Sequence, residues 1–145
     1  MKDHFKTIHR VQFSETDMAG MVHFSNFFRY MERVEHEFYR SLGFSVLMKQ
    51  ISRSFGLPRV HAACRYKSPL KFEDEVEIHL YVQEIRHKTI HYCLRFYNLS
   101  NPGDPPAAEG ELTVICVENQ DSGKMKAVPI PDEMKRLLSV HPEFK

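Results

Sequence analysis

A carboxylate, Asp17, stands a few residues upstream of Phe24-Ser25-Asn26, where the strongest helical pattern of the chain begins. The first turn of a helix leaves backbone N–H groups unpaired and carries partial positive charge, which suits a carbonyl oxygen turning into an oxyanion. A carboxylate beside such a turn can act as nucleophile or as base for a water. Gly20, between the two, lets the backbone approach a substrate closely. These are the parts of acyl transfer without a metal. The same Asp17 also suits a plain turn or cap, and Glu15 and His23 suit solvated loop positions, so spacing alone leaves both readings open.

Other chemistries find less support. The chain has nine histidines, but His36-Glu37-Phe38-Tyr39-Arg40 places Arg40 where a zinc-protease motif needs its second ligand. His87 and His91 are four apart on a segment that reads as strand, which separates them by roughly 13 Å. No structural or catalytic metal is expected. A nucleophile elbow, a dinucleotide fingerprint and a P-loop are all missing.

The elements that must position Asp17 follow from periodicity. Phe5 to Phe13 reads as a first strand, interrupted by the loop Ser14 to Gly20. Phe27, Met31, Val34, Phe38 and Leu42 then recur at steps of three and four, which predicts a helix over about Asn26 to Leu42. Ser25 suits its N-cap and Gly43 its C′ position. Phe28, Tyr30 and Tyr39 widen the apolar face, so this helix should be well buried. Leu57 to Lys67 reads as a strand ending at Ser68-Pro69. Asp74 to Ile85 alternates, with Val76, Ile78, Leu80 and Val82 on one face. After Arg86-His87-Lys88, Thr89 to Asn98 alternates again. Asn101 to Pro106 is turn chemistry. Ala107 to Glu118 reads as a strand, followed by a short one through Val128, and Pro131 to Val140 as a final helix. One helix on a mostly antiparallel sheet is an α+β architecture. One helix covers only part of such a sheet, so a homodimer is expected.

Composition agrees. The 145 residues suit a single domain over 1–145, large enough to bury roughly two-thirds of its unfolded surface. With 42% hydrophobic and 27% charged residues, disorder and low complexity are excluded. A net charge of +1 gives no general field for a phosphate backbone, so nucleic acid is not the expected partner. No apolar run approaches a membrane span and no signal-like stretch opens the chain. Cys64, Cys93 and Cys116 form no CxxC pair and read as buried thiols, which points to the cytoplasm.

The segment Glu15-Thr16-Asp17-Met18-Ala19-Gly20-Met21-Val22-His23-Phe24-Ser25-Asn26-Phe27 resembles the signature of the hotdog-fold acyl-CoA thioesterases of the 4-hydroxybenzoyl-CoA thioesterase type. Glu35 on the helix, Arg65-Tyr66-Lys67-Ser68-Pro69 before Phe72-Glu73-Asp74, and the basic hairpin match in order, from about Thr7 to Val128. The resemblance implies a long central helix wrapped by a five- to six-stranded antiparallel sheet, in homodimers or dimers of dimers with sites at the subunit interface. It implies Asp17 as the catalytic carboxylate and Phe24 as the residue whose backbone N–H polarises the thioester carbonyl. Gly20, His23 and Asn26 complete the oxyanion and pocket segment. Glu15 stands where Asp is commoner, and His23-Phe24 where Trp-Tyr or Tyr-His is usual. His23 suits pocket lining, or proton transfer to the departing thiolate.

The implied activity is hydrolysis of an acyl-CoA thioester, with no cofactor and with acyl carrier protein as another possible thiol carrier. The alternatives are a non-catalytic acyl-thioester binding protein and a hydratase or dehydratase on the same fold. Retention of Asp17 counts against the first, and the lack of a second acid–base partner against the second. Coenzyme A carries phosphates, and Arg86 with Lys88 at the hairpin is the expected contact. Arg65 and Lys67 form a second basic group on one strand.

Overall fold

A computed structural model of the chain describes residues 1–145. Five strands form the main sheet: β1 (His4–Arg10), β3 (Arg59–Tyr66), β4 (Glu75–Ile85), β5 (Thr89–Asn98) and β6 (Ala108–Ile115), in the order β1-β4-β5-β6-β3. All pairings are antiparallel. The helix α1 (Ser25–Ser41) lies on one face, and β2 (Phe55–Gly56), β7 (Val117–Asn119) and β8 (Met125–Ala127) make a second, smaller sheet in the order β2-β7-β8. This is the α+β architecture expected from the residue pattern, with five strands in the main sheet.

The periodic positions become the core. Val76, Ile78, Leu80 and Val82 of β4 and Ile90, Tyr92, Leu94 and Phe96 of β5 are all buried, against Phe27, Tyr30, Met31, Val34 and Phe38 of α1. Tyr39 is buried as expected, but Phe28 is not. Gly110 on β6 marks where helix and sheet touch, because a Cβ built there would meet Met31 Sδ at 2.2 Å. At the far end of α1, Gly43 N–H donates to the Arg40 carbonyl and Phe44 N–H to the Tyr39 carbonyl, both at 3.0 Å, which closes the last turn.

Several expectations need correction. The first strand stops at Arg10, and a 3-10 turn at Phe13–Glu15 follows it. Ser25 is the first helical residue, and Phe24 holds the N-cap position with φ −53° and ψ −32°. The strand read over Leu57 to Lys67 is β3 alone, with Phe55–Gly56 paired elsewhere. The strand read over Ala107 to Glu118 is two, because the chain changes sheets at buried Cys116. The final helix is one turn, α2 (Asp132–Lys135), and the segment beyond it turns back over the sheet. There His141 N–H donates to the Val82 carbonyl at 2.9 Å, and Arg95 on β5 is held by Glu143. That cover buries Tyr81, which alternation alone would leave facing solvent. No helix is long and apolar enough to cross a membrane.

Candidate active site

The loop between β1 and α1 is built around Glu15. Its carboxylate accepts the Gln12 N–H at 2.8 Å and the Tyr30 hydroxyl at 2.9 Å, and lies 2.9 Å from His9 Nε2. Its backbone carbonyl accepts His23 N–H at 2.9 Å and Asn26 Nδ2 at 2.8 Å. Burial pushes the Glu15 carboxyl up, but the hydrogen bonds from Gln12, His9 and Tyr30 outweigh it and hold the group below its ordinary pKa. Glu15 is therefore an anchor with a side chain only 13% exposed, and not the solvated loop residue its position suggested.

Asp17 follows in a tight turn pinned at both ends. Its N–H donates to the Met21 carbonyl at 2.8 Å, and its own carbonyl accepts Gly20 N–H at 3.0 Å. Oδ1 accepts Ala19 N–H at 2.9 Å and Met21 N–H at 3.3 Å, while Oδ2 has no hydrogen-bond partner in the chain. One oxygen orients the carboxylate and leaves the other available. Gly20 sits at φ +80°, a dihedral that favours glycine, with open space where a Cβ would stand.

Asp17 borders a cavity of about 370 Å³ lined also by Phe24, Phe27, Tyr66, Lys67 and the Ser68–Leu70 segment. Phe24 enters it from the N-terminus of α1. Its N–H has no acceptor within the chain, and its carbonyl accepts the Tyr66 hydroxyl at 3.0 Å. The two residues with the chemistry expected of them, Asp17 and Phe24, thus share one cavity. Gly20, His23 and Asn26, expected in the same segment, are not among the residues that line it. The His23 ring stacks on Phe24 at 4.5 Å, and its Nδ1 accepts Ser25 N–H at 3.3 Å, while the N-cap residue itself makes no side-chain cap. Asn26 ties the first helical turn to the Glu15 carbonyl.

Arg86 and Lys88 lie elsewhere in the chain. Arg10 pairs with Glu75 at the cavity end of the sheet, whereas the hairpin follows Ile85 at the other end of β4, roughly 33 Å away along an extended strand. Arg86 Nε is also 2.8 Å from Glu84 Oε1. The cation at the cavity is Lys67, 3.0 Å from Glu109. Glu35, singled out on the helix, is 1% exposed and bonded to the Tyr39 hydroxyl at 2.7 Å and to Arg59. It holds α1 to the start of β3, away from the cavity. Sequence reasoning did not single out Tyr66 by itself; it stood inside the Arg65 to Pro69 motif, a signal that did not include its reach to Phe24.

The sequence profile of the thioesterase-like superfamily matches residues 11–138. A protein of Aquifex aeolicus whose esterase designation is provisional is 45% identical over 131 residues, covering 89% of this chain and 93% of its own length. The structure of a gentisyl-coenzyme A thioesterase, 28% identical, superposes with a TM-score of 0.76 over 90% of this chain and 99% of that one. A 4-hydroxybenzoyl-CoA thioesterase bound to 4-hydroxybenzoyl-CoA, at 18% identity, shares the fold with a TM-score of 0.85 over 95% of this chain and 100% of that one.

Proposed function

The chain belongs to the thioesterase-like superfamily, and on that footing we propose that it hydrolyses acyl-CoA thioesters at the cavity beside Asp17. Water and thioester give a carboxylate and free coenzyme A. The observation that carries this reading is that one cavity is lined by both Asp17, an oriented carboxylate with a free oxygen, and Phe24, whose N–H at the helix start has no acceptor in the chain. Asp17 either attacks the carbonyl carbon, forming an anhydride that water then opens, or takes a proton from the attacking water. In both cases Phe24 N–H receives the carbonyl oxygen as it gains negative charge, and the C–S bond breaks to release the coenzyme A thiolate, which takes up a proton from water. The scheme uses the chain's own residues and no cofactor.

The acyl group is read from the cavity and the relatives together. Phe24, Phe27 and Tyr66 offer aromatic walls, and two similar proteins are named for hydroxylated benzoyl-type thioesters. An aromatic acyl-CoA is therefore the first substrate to test. Assembly is part of the same reading. β3 is an edge strand with Arg59 to Ala62, Arg65 and Tyr66 exposed, an open template for a second β3. Antiparallel pairing of two such edges would bring one protomer's hairpin end alongside the other's cavity end. Arg86 and Lys88 would then reach the coenzyme from the partner subunit.

Thiol release from a panel of aromatic and aliphatic acyl-CoAs tests the reading. We expect turnover of at least one aromatic member, lost in Asp17→Asn. Tight binding of acyl-CoA without thiol release would favour a binding protein instead.

A further inference from the structure

Phe24 is held through the peptide groups on either side of it. The residue is 63% exposed, and its backbone sits where the chain leaves an irregular loop and enters α1. Upstream, the His23 N–H is fixed by the Glu15 carbonyl, and the His23 carbonyl, on the same peptide as Phe24 N–H, accepts Asn26 N–H at 2.9 Å. Downstream, the Phe24 carbonyl accepts a weak bond from Phe27 N–H at 3.3 Å and a shorter one, at 3.0 Å, from the Tyr66 hydroxyl. Tyr66 is the last residue of β3, so this bond joins the end of the sheet to the start of the helix. The Tyr66 ring is itself set by an edge-on contact with buried Phe27, centroids 5.0 Å apart. Phe24 N–H, between the two fixed points, is left without an acceptor.

We propose that Tyr66 is a positioning residue for thioester hydrolysis, whose hydroxyl holds the Phe24 carbonyl so that the Phe24 N–H stays aimed at the developing oxyanion. This rests on the reading of Phe24 N–H as the oxyanion donor. An oxyanion donor is effective because its orientation is set before the reaction, so that no reorganisation is needed as charge develops. A peptide at the frayed start of a helix would otherwise sample several orientations. Burial, with the Cys64 thiol beside it, pushes the Tyr66 phenol up, so it remains a protonated donor at neutral pH. The hydroxyl acts through the Phe24 carbonyl and transfers no proton.

Tyr66→Phe removes one oxygen from a half-exposed ring and leaves the contact with Phe27. We expect kcat to fall about 10-fold, with KM for acyl-CoA changed less than about twofold, since the lost alignment matters only as charge develops. The loss should be equal for alkyl thioesters and for aryl thioesters with a better leaving group. Rescue by the better leaving group would mean that Tyr66 protonates the thiolate, and would overturn the proposal. So would unchanged kcat, or an effect confined to KM. A second measurement reads the helix start: hydrogen exchange at the Phe27 amide, which donates to the same Phe24 carbonyl, should be faster in Tyr66→Phe, with the amides of β4 and β5 unchanged. Equal exchange would contradict the proposal even if activity fell. Wild-type protein that releases no thiol, or Asp17→Asn that keeps full activity, would instead be a failure of the underlying reading.

Discussion

Asn26 Nδ2 donates to the Glu15 carbonyl at 2.8 Å and so ties the first turn of α1 to the loop that carries Asp17. The same carbonyl accepts His23 N–H, which makes Glu15 the junction between the carboxylate and the helix start. Asn26→Ala removes one of these two bonds. We expect a stability loss of about 1 kcal/mol, the usual net worth of such a bond. We expect kcat to fall more than KM changes, because the loop and the helix would no longer move as one. Thermal unfolding and steady-state kinetics on the same preparation check both; an altered KM with kcat intact would place Asn26 in substrate binding.

Glu15 gives a pH-dependent version of the same test. Its folded pKa lies below the ordinary carboxylate value, despite burial, because of the bonds from Gln12, His9 and Tyr30. A depressed carboxyl contributes stability that is present above the unfolded pKa, about 4.3, and lost as pH falls through the folded value. Glu15→Gln should therefore lower Tm at pH 7 by several degrees, corresponding to about 2 kcal/mol for charge-assisted bonds. The gap to wild type should narrow as pH falls below about 4.3 and through the folded value. A gap that persists in acid would mean that the side chain's shape matters and its charge does not.

The contact of α1 with the sheet is testable at Gly110. A Cβ there would strike Met31 Sδ, which is fully buried. Gly110→Ala should cost about 1–3 kcal/mol by overpacking, read from chemical denaturation. Combining it with Met31→Ala should cost less than the sum of the two, since the smaller side chain frees the space. Additive losses would show that the clash is relieved elsewhere.

The legible parts of this fold are those with a local period. β5 alternates along nearly its whole length and β4 as far as Leu80, and α1 carries an unbroken stripe, so both ends of each element could be placed within a residue or two. Pairing across distance was not legible. β3 precedes β4 in the chain but pairs with β6, and nothing in Arg59 to Tyr66 encodes that choice locally. The change of sheet at Cys116 falls inside one apolar run, so two strands read as one. At the site, Asp17 and Phe24 were legible through a motif. The Tyr66 hydroxyl was not, because its acceptor lies 42 positions away and only the folded sheet brings them together.

The coenzyme contact distinguishes a hairpin acting within one protomer from one acting across a dimer. Arg86→Ala with Lys88→Ala should raise KM for acyl-CoA severalfold, less at high salt, and leave a short acyl-pantetheine unaffected. Mixed with Asp17→Asn protein and allowed to exchange subunits, the double variant should regain low-KM activity if the hairpin serves the partner's cavity. One of the two sites in such a heterodimer then has both Asp17 and the basic pair. No recovery after verified exchange would mean that each hairpin serves its own chain or holds no phosphate.

Asp17→Asn, assayed for thiol release on the best acyl-CoA of the panel, tests the central claim most directly. The substitution keeps the side chain's shape and its Oδ1 contacts while removing the free carboxylate oxygen. A general base is worth about 10²–10⁴-fold and a nucleophile can be worth more, so we expect kcat to fall at least about 100-fold with KM largely kept. A variant that retains more than about a tenth of wild-type kcat would contradict the assignment of Asp17 as the residue that attacks the thioester or activates water.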